Sequence, residues 1–411
     1  MRTPKVSTAV ELLVVTALTT AVTAIHAQTT QWVHILTDPA NTPPGREETA
    51  MVYDEQRERI VLHGGLSQSL QTLNDTWEWD GESWRVVSTE GPRVSFHAMA
   101  YDSRRGVTVL YGGTPAHLSQ FINETWEWDG ESWTRFELGP SDASLVLFSM
   151  VYDRQREKVI RHGGVISGSY THEDPATYEW NGASWTSIAQ GSHIRGGQFA
   201  IYDSKRLTTT AFGGTSTKGF RPTISDSETW AFDGEEWNLV SAEGPSPRVM
   251  HAMAYDSHRG VGILFGGSPD GLFSPALSDT WEWNGMAWSK VEIEIALGPR
   301  FLHSMAYDTR RRRAVLFGGS PHRGSASQRF FNETWEYGLI PLQLSGVMPG
   351  AEGNIEIQWT GELPPYQLQS RASLAAGEWQ NKSEPTDATR AVVQAQGTAF
   401  FRVVSLFEGS P

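Results

Sequence analysis

The sequence predicts an all-β protein assembled from six copies of one four-stranded unit, and three observations carry that reading. The dipeptide Tyr-Asp recurs at Tyr53, Tyr101, Tyr152, Tyr202, Tyr255 and Tyr307, roughly every 50 residues. Each copy is followed by a Gly-Gly pair that starts at Gly64, Gly112, Gly163, Gly213, Gly266 or Gly318. Each then leads into a tryptophan-rich phrase, fullest as NDTWEWDGESW from Asn74 and NETWEWDGESW from Asn123. The chain of 411 residues holds 17 Trp and 40 Gly, a composition of strands and turns rather than helices.

At the N-terminus, Arg2 and Lys5 precede an apolar run from Ser7 to Ala24, interrupted by Glu11, and Ile25-His26-Ala27 offers a small-residue cleavage site. That pattern predicts a secretory leader over residues 1–27 and an exported protein, periplasmic, at the cell surface or extracellular. Exported chains are commonly stapled by disulfides, but this one has 0 Cys, so its cohesion must come from packing. With 33 basic against 47 acidic residues, a formal net charge of −14 and no dense basic run, the chain is not expected to bind nucleic acid. Nor is membrane insertion expected once the leader is removed.

Within a unit, HAMAYD from His97 alternates its side chains across a sheet, SRRG makes a tight turn, and VTVLYGG is the next strand. Its closing glycines permit backbone angles that other residues resist. TWEW alternates again, and Asp80-Gly81 is a hairpin turn leading into a last strand that begins at Trp84. One such sheet cannot bury both its faces, so the units must stack around an axis with aromatic rings filling the spaces between them. The sixth unit keeps only NETWEY and then runs into GLIPLQL, so its outer strand is missing. The segment from Trp32 to about Leu36 is expected to supply it and close the ring without a covalent bond.

One Gly-Gly, one acidic turn and one terminal Trp per unit resemble the kelch repeat, in which each unit is a blade of a β-propeller. The resemblance covers residues 28–340 and implies a six-bladed kelch propeller similar to those of exported bacterial proteins. Residues 341–411 lie outside the repeat. Their IEIQW, YQLQS and AFFRVV runs look like a small β-sandwich of immunoglobulin or fibronectin type III character.

The kelch resemblance implies that first strands line the central channel. It also implies that the loops before them share a face with the loops joining strands two and three. On that face an Arg recurs at Arg46, Arg93, Arg195, Arg248 and Arg300, with a His slightly later at His97, His251 and His303. Thr49 and Gln198 take the His place in units one and four, and unit three has Leu145 and Phe148 instead of either. These residues form either a cationic rim able to pair with carboxylates or a recurring requirement of the blade itself. The loops after Gly-Gly add Phe220, Arg221, Phe273, Arg329 and Phe330, side-chain types that binding surfaces favour. His63 and His162 occupy a slot held elsewhere by Tyr or Phe, which makes them core residues.

The expected function is a non-enzymatic module that binds a protein or a glycan through one loop face. The rival is a sugar-handling enzyme similar to the sialic acid mutarotase propellers, with Glu47 and Glu48 beside Arg46 at an Arg- and His-lined channel mouth. No cofactor is expected: the copper site of galactose oxidase-like kelch enzymes needs a Tyr joined to a Cys. No metal is expected either, since the sequence has no His-x-His, His-Glu-x-x-His or EF-hand spacing.

Overall fold

Each of the six repeats folds as a four-stranded antiparallel sheet. A computed structural model describes residues 13–14, 30–116, 122–136, 145–166, 174, 176–190, 195–217, 222–269, 274–293, 297–322, 329–339, 343–349, 354–360, 366–371, 380–381, 390–394 and 400–405. The chain divides into two units, Trp32–Tyr337 and a second formed by Met1–Gln31 with Gly338–Pro411.

In the larger unit, blade one is made by Ala50–Asp54, Arg59–His63, Thr76–Trp79 and Trp84–Ser88, in that order across the sheet. Blades two to five repeat this plan, with first strands Ala98–Asp102, Ser149–Asp153, Phe199–Asp203 and Ala252–Asp256. Blade six takes Phe301–Asp308, Arg313–Ser320 and Thr334–Leu339 from the end of the repeat, and its outer strand is the N-terminal segment Thr30–Ile35. The first strands touch one another in sequence, and the last touches the first, so the six sheets close into a ring. The result is a six-bladed β-propeller closed by its N-terminal strand.

The residues that recur are the ones that join blades. A Trp at or near the start of each outer strand donates its indole N–H to a Thr at or near the start of strand three of the preceding blade. The pairs are Trp84 with Thr334, Trp133 with Thr76, Trp185 with Thr125, Trp237 with Thr177, Trp288 with Thr229 and Trp32 with Thr280, all at 2.8–2.9 Å. Trp32 and Trp84 are fully buried, each with an edge on a Phe of the preceding blade, Phe265 and Phe317. Tyr-Asp works in the same direction: Tyr255 donates to Asp203 of the blade before at 2.6 Å. Burial, and after it the charge of the preceding blade's Asp, holds Tyr53, Tyr101, Tyr152, Tyr202 and Tyr307 above the ordinary phenol range.

The same Asp also sets the turn after strand one. Asp54 accepts from the Arg57 backbone N–H at 2.9 Å and from Arg57 Nε at 2.7 Å, and Asp256 and Arg259 repeat the arrangement. The turn arginine then reaches forward to the Asp-Gly hairpin of the next blade. Arg311 donates to Asp80 O, Arg156 to Gly234 O and Arg206 to Asn284 O. A side chain at Gly81 or Gly285 would collide with that guanidinium, and both glycines have a positive φ, 96° and 88°. The hairpin glycine is therefore required twice over, by its backbone angle and by the neighbour lying on it.

In the second unit, Gln343–Pro349, Asn354–Thr360 and Arg390–Gln394 form one antiparallel sheet. Leu13–Val14, Phe400–Ser405, Tyr366–Arg371 and Gln380–Asn381 form another. Among the described residues the one helical segment is the turn Pro39–Asn41, and no helix is long and apolar enough to cross a membrane.

If ring closure rests on the N-terminal strand, truncating Trp32 to Ala should cost about 3–5 kcal/mol, as for a large core aromatic. Val33→Ala, at a neighbour 48% exposed on the same strand, should stay within about 0.5 kcal/mol. Equilibrium urea unfolding measures both, and equal losses would place closure elsewhere.

Candidate functional site

The face bearing the loops before strand one and after Gly-Gly is where the sequence concentrates its candidate residues. Arg46 is fully buried there, its Nη1 and Nη2 on the two oxygens of Asp75 at 2.8 Å, with further bonds to Gly64 O at 3.0 Å and Pro44 O at 3.1 Å. Arg248 does the same with Asp279, Gly266 O and Ser246 O, and Arg300 bonds one oxygen of Glu333 with Gly318 O and Gly298 O. Arg195 bonds Asp226 through Nε and Nη2. Arg46, Arg248 and Arg300 each tie the incoming loop to the end of strand two and the start of strand three of their own blade. Burial alone would raise the acids, but the arginine's hydrogen bonds and charge outweigh it and hold Asp75, Asp279 and Glu333 below their usual range.

Blades two and three depart from this scheme, each with a local replacement. Arg93 is exposed and donates to Thr72 O, while Glu124, the acid of blade two, takes Arg135 at 2.7 Å. In blade three the cation comes from strand two. Arg161, 1% exposed, donates to Asp174 at 2.8 Å between the rings of Tyr178 and Tyr111, at 4.3 and 5.1 Å. The blade needs a guanidinium at its acid, and unit three meets that need from a position where other units have Leu62, Leu110, Leu264 and Leu316.

His97, His251 and His303 lie buried between blades, each edge-on to the ring that precedes Gly-Gly in the blade before. The centroids are 5.7 Å apart to His63, 5.6 Å to Phe212 and 5.6 Å to Phe265. Phe148 repeats the placement on Tyr111 at 5.6 Å, so the slot selects a ring more than a charge. Burial, the largest cause, and neighbouring charge push the His251 ring down to about 3, and burial pushes His97 and His303 well below the ordinary imidazole value. All three are neutral at pH 7. His63 and His162 are core residues, bonded to Thr76 and Thr177 at 3.0 and 2.9 Å, and burial lowers His63 to about 4.

The centre of this face is built by residues with no common chemistry. Glu48, Phe96, Leu147, Gly197, Met250 and Leu302 each stand one residue before the His slot, and all have positive φ, between 56° and 72°. Their backbones bond in a circuit of five links that stops short of joining Leu147 to Phe96: Phe96 N to Glu48 O, Glu48 N to Leu302 O, Leu302 N to Met250 O, Met250 N to Gly197 O and Gly197 N to Leu147 O, all 2.8–3.1 Å. Phe96, Leu147, Met250 and Leu302 belong to one apolar cluster with Phe301 and Val165. Backbone and apolar side chains therefore build the centre of this face, and Arg46, Arg195, Arg248 and Arg300 are held within their blades. Left-handed backbone at five non-glycine residues costs of order 1–3 kcal/mol each and persists only where surroundings enforce it, here the circuit itself.

Of the carboxylates beside Arg46, Glu47 is fully buried and accepts from Ser320 at 2.5 Å, and Glu48 is 3% exposed. Phe330 is buried, and its backbone N–H donates to Gln68 Oε1 at 2.8 Å. Arg329 is exposed, 5.9 Å from the centroid of Phe331, which Arg300 covers at 4.2 Å. Phe220, Arg221 and Phe273 lie outside the described residues. Among the described residues no group of three or more His, Asp or Glu is placed to hold a metal ion. Comparison with protein-family models and with curated proteins finds no match.

Two outcomes test this arrangement. Arg161→Leu should cost about 3–5 kcal/mol, because it leaves Asp174 buried without its cation, and adding Asp174→Asn should recover part of the loss in urea melts. The histidines make stability depend on pH. A ring held neutral in the fold protonates in the unfolded chain below about 6.5, so stability is full above that pH and falls as pH drops toward 4. Each ring adds about 1.4 kcal/mol per pH unit to the slope. His251→Phe, which places in this slot the ring that Phe148 supplies in blade three, should remove one such contribution, read as a shallower dependence of unfolding free energy on pH.

Proposed function

We propose that the protein is an exported kelch-type propeller that binds a protein or a glycan through the face built by the loops after Gly-Gly. The observation that carries this reading is where the recurrent ionisable groups of that face go. Arg46, Arg248 and Arg300 satisfy Asp75, Asp279 and Glu333 inside the blades, and His97, His251 and His303 fill interblade slots. An acid–base site needs a group of adjusted pKa within reach of solvent and substrate. The adjusted histidines here are buried between blades, which favours recognition over catalysis.

What remains for ligand contact on this face is the part that differs between blades, the loops at 217–226 and 321–331 foremost, with exposed Arg329 beside Phe331. Loops held by a rigid ring vary without disturbing the sheets beneath them. Glycan-array binding by the purified protein, repeated after shortening the loops at 217–226 and 321–331, should fall at least tenfold, about 1.4 kcal/mol. Unchanged binding after both cuts would move the site off this face.

A further inference from the structure

At the other ends of the strands, where the turns after strand one meet the Asp-Gly hairpins, a cavity of about 470 Å³ lies between blades one and two. Blade one supplies one wall. Glu78 stands across the sheet from both Val61 and Arg85, and Arg59 lies two residues before Val61, so side-chain alternation puts Arg59, Glu78 and Arg85 on one face. Val61 packs with Met99, Tyr101 and Leu110 of blade two, which makes this the face turned to that blade. The other wall is the blade-two hairpin at Asp129, Gly130 and Glu131. Arg57 also lines the cavity, but its Nε and Nη1 are committed to Asp54 and Glu78, and its guanidinium lies against Gly130, 2.8 Å from where a Cβ would stand.

Two cations of the blade-one wall have no acid of their own. Arg85 shares Glu78 at 3.5 Å, Arg57 holding the other oxygen, and the Arg85 side chain is 75% exposed. Arg59 donates to the Glu58 carbonyl at 3.0 Å, and among the described residues no carboxylate lies within ion-pair distance of it. The blade plan does not ask for either. The place of Arg85 holds Thr134, Thr186, Asn238 and Ser289 in blades two to five. The place of Arg59 holds Val107, Thr208 and Val261 in three blades, with Lys158 in blade three and Arg313 in blade six. On the facing wall Asp129 is turned onto its own hairpin, accepting from the N–H groups of Glu131 and Ser132 at 2.8 Å, so the exposed carboxylate of Glu131 is the acceptor that this wall offers. Among the described residues the lining includes no apolar or aromatic side chain.

We propose that this cavity binds a small organic acid that also carries hydrogen-bond donors, hydroxyl or ammonium. Arg59 and Arg85 present guanidinium forks to its carboxylate, and Glu131 accepts from its donors. The volume is that of a small-molecule site, and walls bearing opposite charges suit a ligand that is polar on every side. The net charge of −14 does not exclude so small an anion: at ordinary ionic strength distant charges are screened beyond about 10 Å, whereas the arginine contacts are direct. The cavity lies at the ends of the strands away from the loops after Gly-Gly and does not rest on the function proposed for them.

The test is calorimetric titration of the full protein with glucuronate, whose donors are hydroxyls, and with alanine, whose donor is ammonium. Succinate, which lacks the donors, and glucose, which lacks the carboxylate, are the controls. The variant Arg59→Val with Arg85→Thr takes the residues that blade two carries at both places, Val107 and Thr134, and an unchanged thermal melt verifies its fold. Binding of glucuronate or alanine by the native protein, at least tenfold weaker in the variant and at least tenfold tighter than that of glucose, is the expected result, and the tighter of the two acids identifies the donor. Glu131→Ala, for which blade three supplies the precedent Ala183, should weaken that acid and leave succinate unchanged. Binding of neither acid, or equal binding by the double variant, overturns the proposal. Succinate bound as tightly as the better acid overturns it in favour of a site for anions in general. Binding lost on shortening the loops at 217–226 and 321–331 but kept in the double variant overturns it in favour of the other face.

Discussion

The bond from each outer-strand Trp to the Thr of the preceding blade is the constraint on which the rest of the structure depends. An indole large enough to fill the gap between two sheets also carries an N–H into it, and a dry gap without an acceptor would cost more than the ring's burial is worth. The Thr hydroxyl supplies that acceptor from strand three. In blades one and three it also faces the Nδ1 of His63 and His162, so one hydroxyl coordinates the indole of one blade and the imidazole of another. Because every link runs from one blade to the one before, the ring has a direction. The link from Trp32 to Thr280 joins residues 248 positions apart and fastens the strand Thr30–Ile35, which completes blade six, to blade five.

Buried ion pairs are a second framework, and their value is geometric. Taking a guanidinium and a carboxylate out of water costs roughly what their attraction returns, so pairs such as Arg46 and Asp75 are poor sources of net stability. They do cross-link three segments of a blade at one point, because the same guanidinium bonds the carbonyl of the first Gly in Gly-Gly. Blade three separates these roles. Arg161 reaches Asp174 from strand two, and its Nε and Nη1 are left without partners, so the acid keeps its cation and the carbonyl contacts of the loop arginine are lost.

Most of the propeller was legible in the sequence because its joints repeat: the hairpin turns, the strand alternation and the Trp positions all recur with one period, and the missing outer strand was marked by its absence from unit six. The circuit through Glu48, Phe96, Leu147, Gly197, Met250 and Leu302 was not legible. It is made by backbone in a left-handed conformation, and only Gly197 has a side chain, or lack of one, that announces such an angle. The arginines were recognised as recurrent but not assigned between rim and framework, since composition shows that a guanidinium is needed and not whether its partner is a ligand or an Asp some thirty residues on.

Six copies of one unit in a single chain amount to an internal comparison, but departure from the repeat is not by itself a sign of function. Unit three lacks both the loop Arg and the His, and each absence has a replacement: Arg161 serves the acid, and Phe148 fills the slot against Tyr111. Blade two exchanges Arg93 for Arg135 in the same way. These departures keep a cation at the acid and, in blade three, a ring in the slot, each from another position. Blade four is of another kind: Ala231 stands where Glu78, Glu127, Glu179 and Glu282 meet the turn arginine of other blades, and among the described residues Arg206 keeps Asp203 and the Asn284 carbonyl. Blade six does the same with Glu336 still in place, since Arg311 bonds Asp308 and the Asp80 carbonyl. What all six turns retain is the arginine's backbone N–H on the Asp that ends strand one, so the contact to Glu is one the ring can lose in a blade without replacing it.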